Sequence, residues 1–205
     1  MSRRSRCRLP VRASRWCAEK ETTFIMRKLI AFLGVSLDGF HADAAGGLEW
    51  QTFGPEFTDF SLAQLDEVDA LLFGRTTYDG MIQYWPQQAG TEFDDRIAQR
   101  MNSIRKYVVS RTLPAADWNN TTLLRDPDEV AAVDADTVAI FGSSSLVAGL
   151  IQRGLLSELR LMVNPIVLGS GARMLDGIDL THFALLGTRP FEAGNVLLTY
   201  RPAAA

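Results

Sequence analysis

Three short segments carry the residue types that hold a multiply charged anion. The first is Gly74-Arg75-Thr76-Thr77-Tyr78, which follows the apolar run Ala70 to Phe73. A strand, a glycine and then a helix start leave backbone N–H groups facing outward, with the positive helix end behind them. Thr76 and Thr77 add hydroxyl donors and Arg75 adds a charge; the plain alternative is that one threonine caps the helix. The second segment is Ser110-Arg111-Thr112, after KYVVS, which by itself reads as a solvated basic turn. The third is Gly142-Ser143-Ser144-Ser145-Leu146, after TVAIF, where serines equally suit a helix cap. In open α/β sheets the C-terminal ends of the strands form the ligand crevice. Three such segments after successive strands together suit one extended anion bearing several phosphates.

The elements that must position them follow from the hydrophobic pattern. Leu29 to Val35 is a short apolar run read as a buried strand, closed by the turn Ser36-Leu37-Asp38-Gly39-Phe40. Ala42 to Gly47 is a loop. Phe57, Phe60, Leu65 and Val68 recur near helical spacing, with Pro55 suited to the first turn. Strands are predicted at 70–73, 106–110, 121–124 (near an edge) and 137–141, and helices at 76–84, around 97–104 and at 146–152, the last stopped by Gly154. Leu159 to Leu168 reads as a long strand whose Pro165 requires an edge or a bulge. Residues 182–188 and 196–201 form a closing hairpin. Strands alternating with helices and ending in a hairpin predict an α/β fold. Its sheet is mostly parallel, with helices on both faces and an antiparallel edge.

Composition narrows the function classes. The 205 residues are 47% hydrophobic and 22% charged, enough for a sizeable core. Residues 1–25 hold seven Arg or Lys against two Glu, so this segment is +5 and the remainder −8 within a net charge of −3. An acidic body is a poor partner for nucleic acid. Both cysteines, Cys7 and Cys17, lie in that basic segment, read as a disordered or over-extended leader before a start at Met26. The body, 26–205, is read as one domain. Two histidines and no body cysteine give no metal site, and the cysteine usage fits a reducing cytoplasm. No stretch has the length of apolar residues needed for a membrane span.

The segments FLGVSLDGF, LLFGRTTYDGM, KYVVSRTL, VAIFGSSSLVAGLI and ELRLMVNPIVLGSGARML, in this order, resemble the dihydrofolate-reductase-like family. The branch they resemble is the C-terminal reductase domain of the bifunctional riboflavin-biosynthesis deaminase–reductase, over about residues 26–202. The resemblance implies a three-layer dihydrofolate-reductase-like fold and NADPH as cofactor. It implies Thr76 and Thr77 at the pyrophosphate, and Gly74 at the approach to it. Arg75 and Arg111, with Ser110, fall at the adenosine 2′-phosphate, and Thr112 is counted with them as cofactor-binding. Gly142, Ser143, Ser144, Ser145 and Leu146 fall along the second phosphate edge and the nicotinamide side, and Gly34, Val35 and Ser36 along the nicotinamide. The implied reaction is reduction of the ribosyl group of a 5-amino-6-(5-phosphoribosylamino)uracil, with dihydrofolate reduction or non-catalytic NADPH binding as alternatives. Dihydrofolate reductases usually carry adjacent glycines where this chain has Gly142 before serines, and the zinc signature of the deaminase is absent.

Proton delivery needs an acid, and Asp38, at the end of the first strand, is the leading candidate; Asp-Gly is also an ordinary turn pair. Glu49 and Glu56 lie near the helix where dihydrofolate reductases place their pterin-binding acid, Trp50 resembles the tryptophan of that region, and Trp50, Glu56 and Phe57 are expected in the substrate pocket. Glu56 reads equally as a first-turn acid facing the helix dipole. The expected partners are a small heterocyclic substrate and a second copy of the chain, paired through the apolar strand 159–168.

Overall fold

The computed structural model describes residues 28–90 and 95–203. The basic leader and its boundary with the body lie outside the described residues. The elements run in the order β1 (Lys28–Val35), β2 (Phe40–Ala42), α1 (Pro55–Asp66), β3 (Ala70–Gly74), α2 (Arg75–Gln88), α3 (Asp95–Ser103), β4 (Arg105–Val109) and β5 (Thr121–Leu124). A 3-10 turn at Pro127–Ala132 leads to β6 (Thr137–Phe141), α4 (Ser144–Gln152), β7 (Glu158–Val163), β8 (Ala172–Arg173), β9 (Phe183–Pro190) and β10 (Val196–Pro202). Eight strands form one sheet in the order β5-β4-β3-β6-β1-β7-β10-β9. All its pairings are parallel up to β7, and β10 pairs antiparallel with both β7 and β9. The mostly parallel sheet with an antiparallel closing hairpin is the predicted fold.

Side chains alternate across a strand, so each strand feeds two cores. Ile30, Leu71, Phe73, Val108 and Ala139 pack with Leu65, Tyr78, Ile97 and Met101 on the face of α1, α2 and α3. Leu29, Ala31, Leu33, Leu72, Val138 and Ile140 pack with Val130, Val147, Leu150 and Ile151 on the face of the 3-10 turn and α4. This explains the continuous apolar runs: strands covered on both faces have no polar side to show. Lys106 is the exception, being fully buried. Its ammonium donates to the carbonyls of Met101, Asn102 and Ile104 at 2.7–3.2 Å and lies 4.5 Å from the centre of the Trp118 ring. It thus satisfies the carbonyls at the end of α3, while burial pushes its pKa down to about 8.

Three elements differ from the sequence expectation. The strand predicted over 159–168 stops at Val163, and it lies inside the sheet between β1 and β10. A strand paired on both sides must end before a residue with no N–H, so Pro165 falls in the following loop. That strand therefore offers no free edge to a second copy; the edges of the sheet are β5 and β9. Helix α2 starts at Arg75 and runs through Pro86, where a loop was expected. The lost donor falls in the last turn, and Asn102 Nδ2 donates to the Trp85 carbonyl there at 2.9 Å. A small second sheet, β2 with β8, was not anticipated. Among the described residues no helix is long and apolar enough to cross a membrane.

Candidate active site

The connection after β3 runs through α2 on one face, whereas the connection after β6 runs through α4 on the other. β3 and β6 are neighbours, so the chain leaves their C-terminal ends in opposite directions and opens a crevice there. The starts of two helices converge on it. The N-cap residues are Gly74 for α2 and Ser143 for α4, and neither makes a side-chain capping bond to its own helix. Ser143 spends its hydroxyl across the crevice instead. Its Oγ accepts from Gly74 N at 2.8 Å and donates to Thr77 Oγ1 at 2.8 Å. The residue takes a left-handed conformation, φ 56°, to do so, directly after Gly142 at φ 70°. A Cβ on Gly142 would stand 3.3 Å from Thr77 Cγ2, and one on Gly74 3.2 Å from Ser143 Oγ. The first and third segments found in the sequence are thus one structure.

Their members play different parts. Ser144 is buried and its Oγ accepts from Leu175 N at 2.8 Å, which anchors the start of α4. Leu146 packs towards Gly74. Thr76 and Ser145 are exposed on the first turns of their helices, where donors for an anion are needed.

The crevice continues along β4 and β5, and each strand end carries an arginine. Arg75, after β3, pairs with Asp79 at 2.6 Å; Arg111, after β4, pairs with Asp126 at 2.9 Å and is largely exposed. Arg125, after β5, was not singled out from sequence. Its Nη1 donates to the carbonyls of Ser110 (3.2 Å) and Leu113 (2.6 Å), so it braces the loop that carries Arg111. Ser110 is buried, and its Oγ accepts from Thr112 N and Leu113 N. Ser110 and Thr112 therefore shape the turn. Asp126 accepts from Asp128 N and from Arg111, and these bonds lower its pKa.

At the end of β1 the chain is stitched to the loop after β7. The Val35 carbonyl accepts from Asn164 N (2.8 Å) and Asn164 Nδ2 (3.3 Å). Buried Asn164 also accepts from Thr52 N and Asn195 Nδ2, so one side chain fastens four segments. Ser36 Oγ donates to Asp38 at 2.7 Å and accepts from Phe40 N. Asp38 accepts in addition from Leu168 N (3.1 Å) and Gly169 N (2.7 Å). The Ser36 bond, with those backbone donors, holds its carboxyl down to about 2. The carboxylate of Asp38, expected to be the acid, thus ties the turn after β1 to the loop after β7. Gly34 is a close-approach position on β1: the Gln51 carboxamide lies over it, 2.7 Å from where a Cβ would stand.

Beside this end of the crevice lies a cavity of about 240 Å³, walled by Thr52, Gly54, Glu56, Phe57, Met162, Phe191, Glu192 and Asn195 among others. Glu56 and Phe57, expected in a substrate pocket, both line it. Trp50 does not: its indole Nε1 donates to the Gly47 carbonyl at 3.1 Å, within its own loop. Glu56 accepts from Glu192 N at 2.7 Å, which joins the start of α1 to the turn of the final hairpin. Phe191, Glu192 and Asn195 were missed because they reach the cavity only through the return of that hairpin, and Met162 because it lies on β7, which meets the cavity only in the assembled sheet.

The family profile described as the RibD C-terminal domain matches residues 27–197. The chain belongs to the RibD C-terminal domain family. It is 30% identical over 181 residues to the uncharacterized protein YyaP of Bacillus subtilis (strain 168), covering 85% of this chain and 94% of that one. A putative riboflavin biosynthesis protein from Shewanella sp. PV-4 has a similar structure, with a TM-score of 0.68 and 19% identity over 86% of this chain and 99% of that one. The deaminase/5-amino-6-(5-phosphoribosylamino)uracil reductase of Thermotoga maritima gives a TM-score of 0.63 and 16% identity; 86% of this chain matches 57% of that one. Dihydrofolate reductase from Enterococcus faecalis, complexed with NADP(H), gives 0.60 and 16% over 88% of this chain and 99% of that one. At these identities the likeness to solved structures establishes the dihydrofolate-reductase-like fold.

Proposed function

We propose that this member of the RibD C-terminal domain family is an NADPH-dependent reductase of a small planar or sugar-linked heterocycle. The observation that carries the reading is the junction of β3 and β6. There two helix starts without side-chain caps face one crevice, and a side chain at Gly74 or Gly142 would crowd Ser143 or Thr77. That donor set suits a pyrophosphate, and the arginines after β3, β4 and β5 suit a further phosphate at its adenosine end. The family has reductases among its structural neighbours, one of them complexed with NADP(H).

In this reading the first turns of α2 and α4, with Thr76 and Ser145, bind the pyrophosphate. Arg111 exchanges Asp126 for the 2′-phosphate, and Arg125 keeps the 110–113 loop in place while it does. Ser143 holds the two strand ends at a fixed spacing. Gly34 and Gln51 bound the space at the end of β1 next to the cavity, so that donor and acceptor rings meet there. NADPH, when bound, supplies the hydride; the chain supplies orientation and exclusion of water. Asp38 and Asn164 act by fixing the loops around that space.

Titration of the full chain with NADPH and with NADH, followed by nicotinamide fluorescence, tests the reading. Micromolar NADPH binding with much weaker NADH binding is the expected result. Binding of neither would replace the reductase by a scaffold that has the fold alone.

A further inference from the structure

We propose that Asp126 sets the nucleotide preference of the crevice: it is a built-in rival for Arg111 that opposes a 2′-phosphate and accepts a bare ribose. The inference rests on the reductase reading and deepens it, from the cofactor to the residue that tunes its choice. Arg111 is the guanidinium which that reading gives to the 2′-phosphate, and it already has an anion. Its Nη2 donates to Asp126 Oδ2 at 2.9 Å. The two residues come from different strand ends, Arg111 after β4 and Asp126 after β5.

Exposed ion pairs usually contribute little, because both side chains are free to part. Here the carboxylate is fixed at several points. Asp126 is the N-cap of the 3-10 turn, and its Oδ1 accepts from Asp128 N at 3.0 Å. Glu129 Oε1 accepts from Arg125 N and Asp126 N, both at 2.8 Å, which completes a capping box. Arg125 donates in turn to the carbonyls of Ser110 and Leu113, on both sides of Arg111 in sequence. Ser110 N also donates to the Leu124 carbonyl at 2.9 Å. The end of β5 and the loop bearing Arg111 therefore form one braced unit, and the carboxylate stands at its place before any nucleotide arrives.

A 2′-phosphate that takes Arg111 leaves Asp126 held by its cap beside it, so two anions share one cation. Asp128 N, and then Arg111, bind the charged form of Asp126 and hold its pKa below the ordinary value, so it is an anion at neutral pH. The next acid on the turn is placed differently: Asp128 Oδ1 accepts from Arg153 Nε at 2.7 Å, and its charge is answered there. A ribose without the phosphate brings hydroxyl donors instead, and a carboxylate accepts from them. Asp126 thus acts against NADPH and not against NADH, and narrows the preference that Arg111 creates.

Asp126→Ser removes the charge and keeps a hydroxyl for the cap, serine being as good an N-cap as aspartate. The full chain and this variant are titrated with NADPH and NADH by nicotinamide fluorescence, and with adenosine 2′,5′-bisphosphate and AMP by calorimetry. The variant should bind NADPH and the bisphosphate about threefold to tenfold more tightly, with NADH and AMP unchanged or slightly weaker. Loss of a merely structural contact would not raise affinity for one nucleotide alone. Asp128→Asn takes a charge from the same turn without releasing Arg111, and should leave the NADPH-to-NADH ratio within about twofold of the parent. If Asp126→Ser lowers the melting temperature, the isosteric Asp126→Asn carries the same test. An unchanged ratio, an equal gain for both nucleotides, or an equal gain in Asp128→Asn overturns the proposal. If the parent binds NADPH and the ratio does not move, the reductase reading stands and the role of Asp126 falls. If the bisphosphate gains while neither protein binds NADPH, the role of Asp126 stands and the reductase reading falls. Binding of no nucleotide by any of these proteins overturns both.

Discussion

The two halves of the crevice are built to opposite electrostatic plans. On the side of β3, β4 and β5 each strand end is followed within two residues by an arginine, and two helix starts point inward. On the side of β1, β7 and the closing hairpin the walls are acidic or aromatic, and their polar side chains are consumed in tying loops together. The difference separates two means of fixing a site: helix starts and glycines on one side, buried amide and carboxylate ties on the other.

The sharpest way to break the comparison is at Gly142. Gly142→Val places a β-branched side chain at φ 70° against Thr77 and should cost about 1–3 kcal/mol from backbone strain alone. NADPH affinity should fall while the acceptor cavity keeps its ligand, a split that parallel titrations would read. On the other side, Asn164→Ala leaves Thr52 N and Asn195 Nδ2 without their buried acceptor. Thermal or urea unfolding should show a loss of about 2–3 kcal/mol, and acceptor binding should weaken more than NADPH binding. Arg111→Ala is the milder change on the basic side. Its position is exposed, so roughly a tenfold loss of NADPH affinity is expected with NADH little changed. Equal loss for both nucleotides would remove Arg111 from the 2′-phosphate.

The smallest effect belongs to Asp38. Its folded pKa, about 2, lies below the ordinary 3.8, so its stabilising contribution is fully present above about pH 4 and is lost as pH falls through 2. Asp38→Asn should therefore lower the melting temperature slightly at pH 6, and the gap from the parent should close between pH 4 and pH 2. Turnover near neutral pH should be nearly retained; loss of turnover with unchanged melting would return Asp38 to the chemistry.

The basic half was legible in the sequence because its signals are local. Gly74-Arg75-Thr76-Thr77 and Gly142-Ser143-Ser144-Ser145 each sit at a strand–helix junction, and a strand–glycine–hydroxyl pattern can be read from a few neighbours. What sequence could not show was that Ser143 joins the two, since Gly74 and Ser143 meet only when β3 and β6 pair. The acidic half was read poorly for the same reason. Asp38 shows a turn pair in sequence, but its partners at 168 and 169 are about 130 residues away. Glu56 and Phe57 were found, whereas Asn164 and Asn195 look like ordinary loop polar residues until the hairpin folds back. Pro165 was read as requiring an edge or a bulge in a strand running to Leu168, whereas the structure ends the strand at Val163, before the proline, inside the sheet.

The position of β1 in the sheet bears on how the chain is made. β1 leaves the ribosome before the other strands of its sheet, yet it is flanked by β6 and β7, whose residues pair with it from more than a hundred positions downstream. During synthesis the apolar stretch LIAFLGV must wait without a partner on either edge until the chain has reached Phe141, and with one edge open until it has reached Val163. Nascent chains of this protein thus expose a sticky strand for most of translation. Aggregation on slow refolding at high concentration is the expected consequence of this topology.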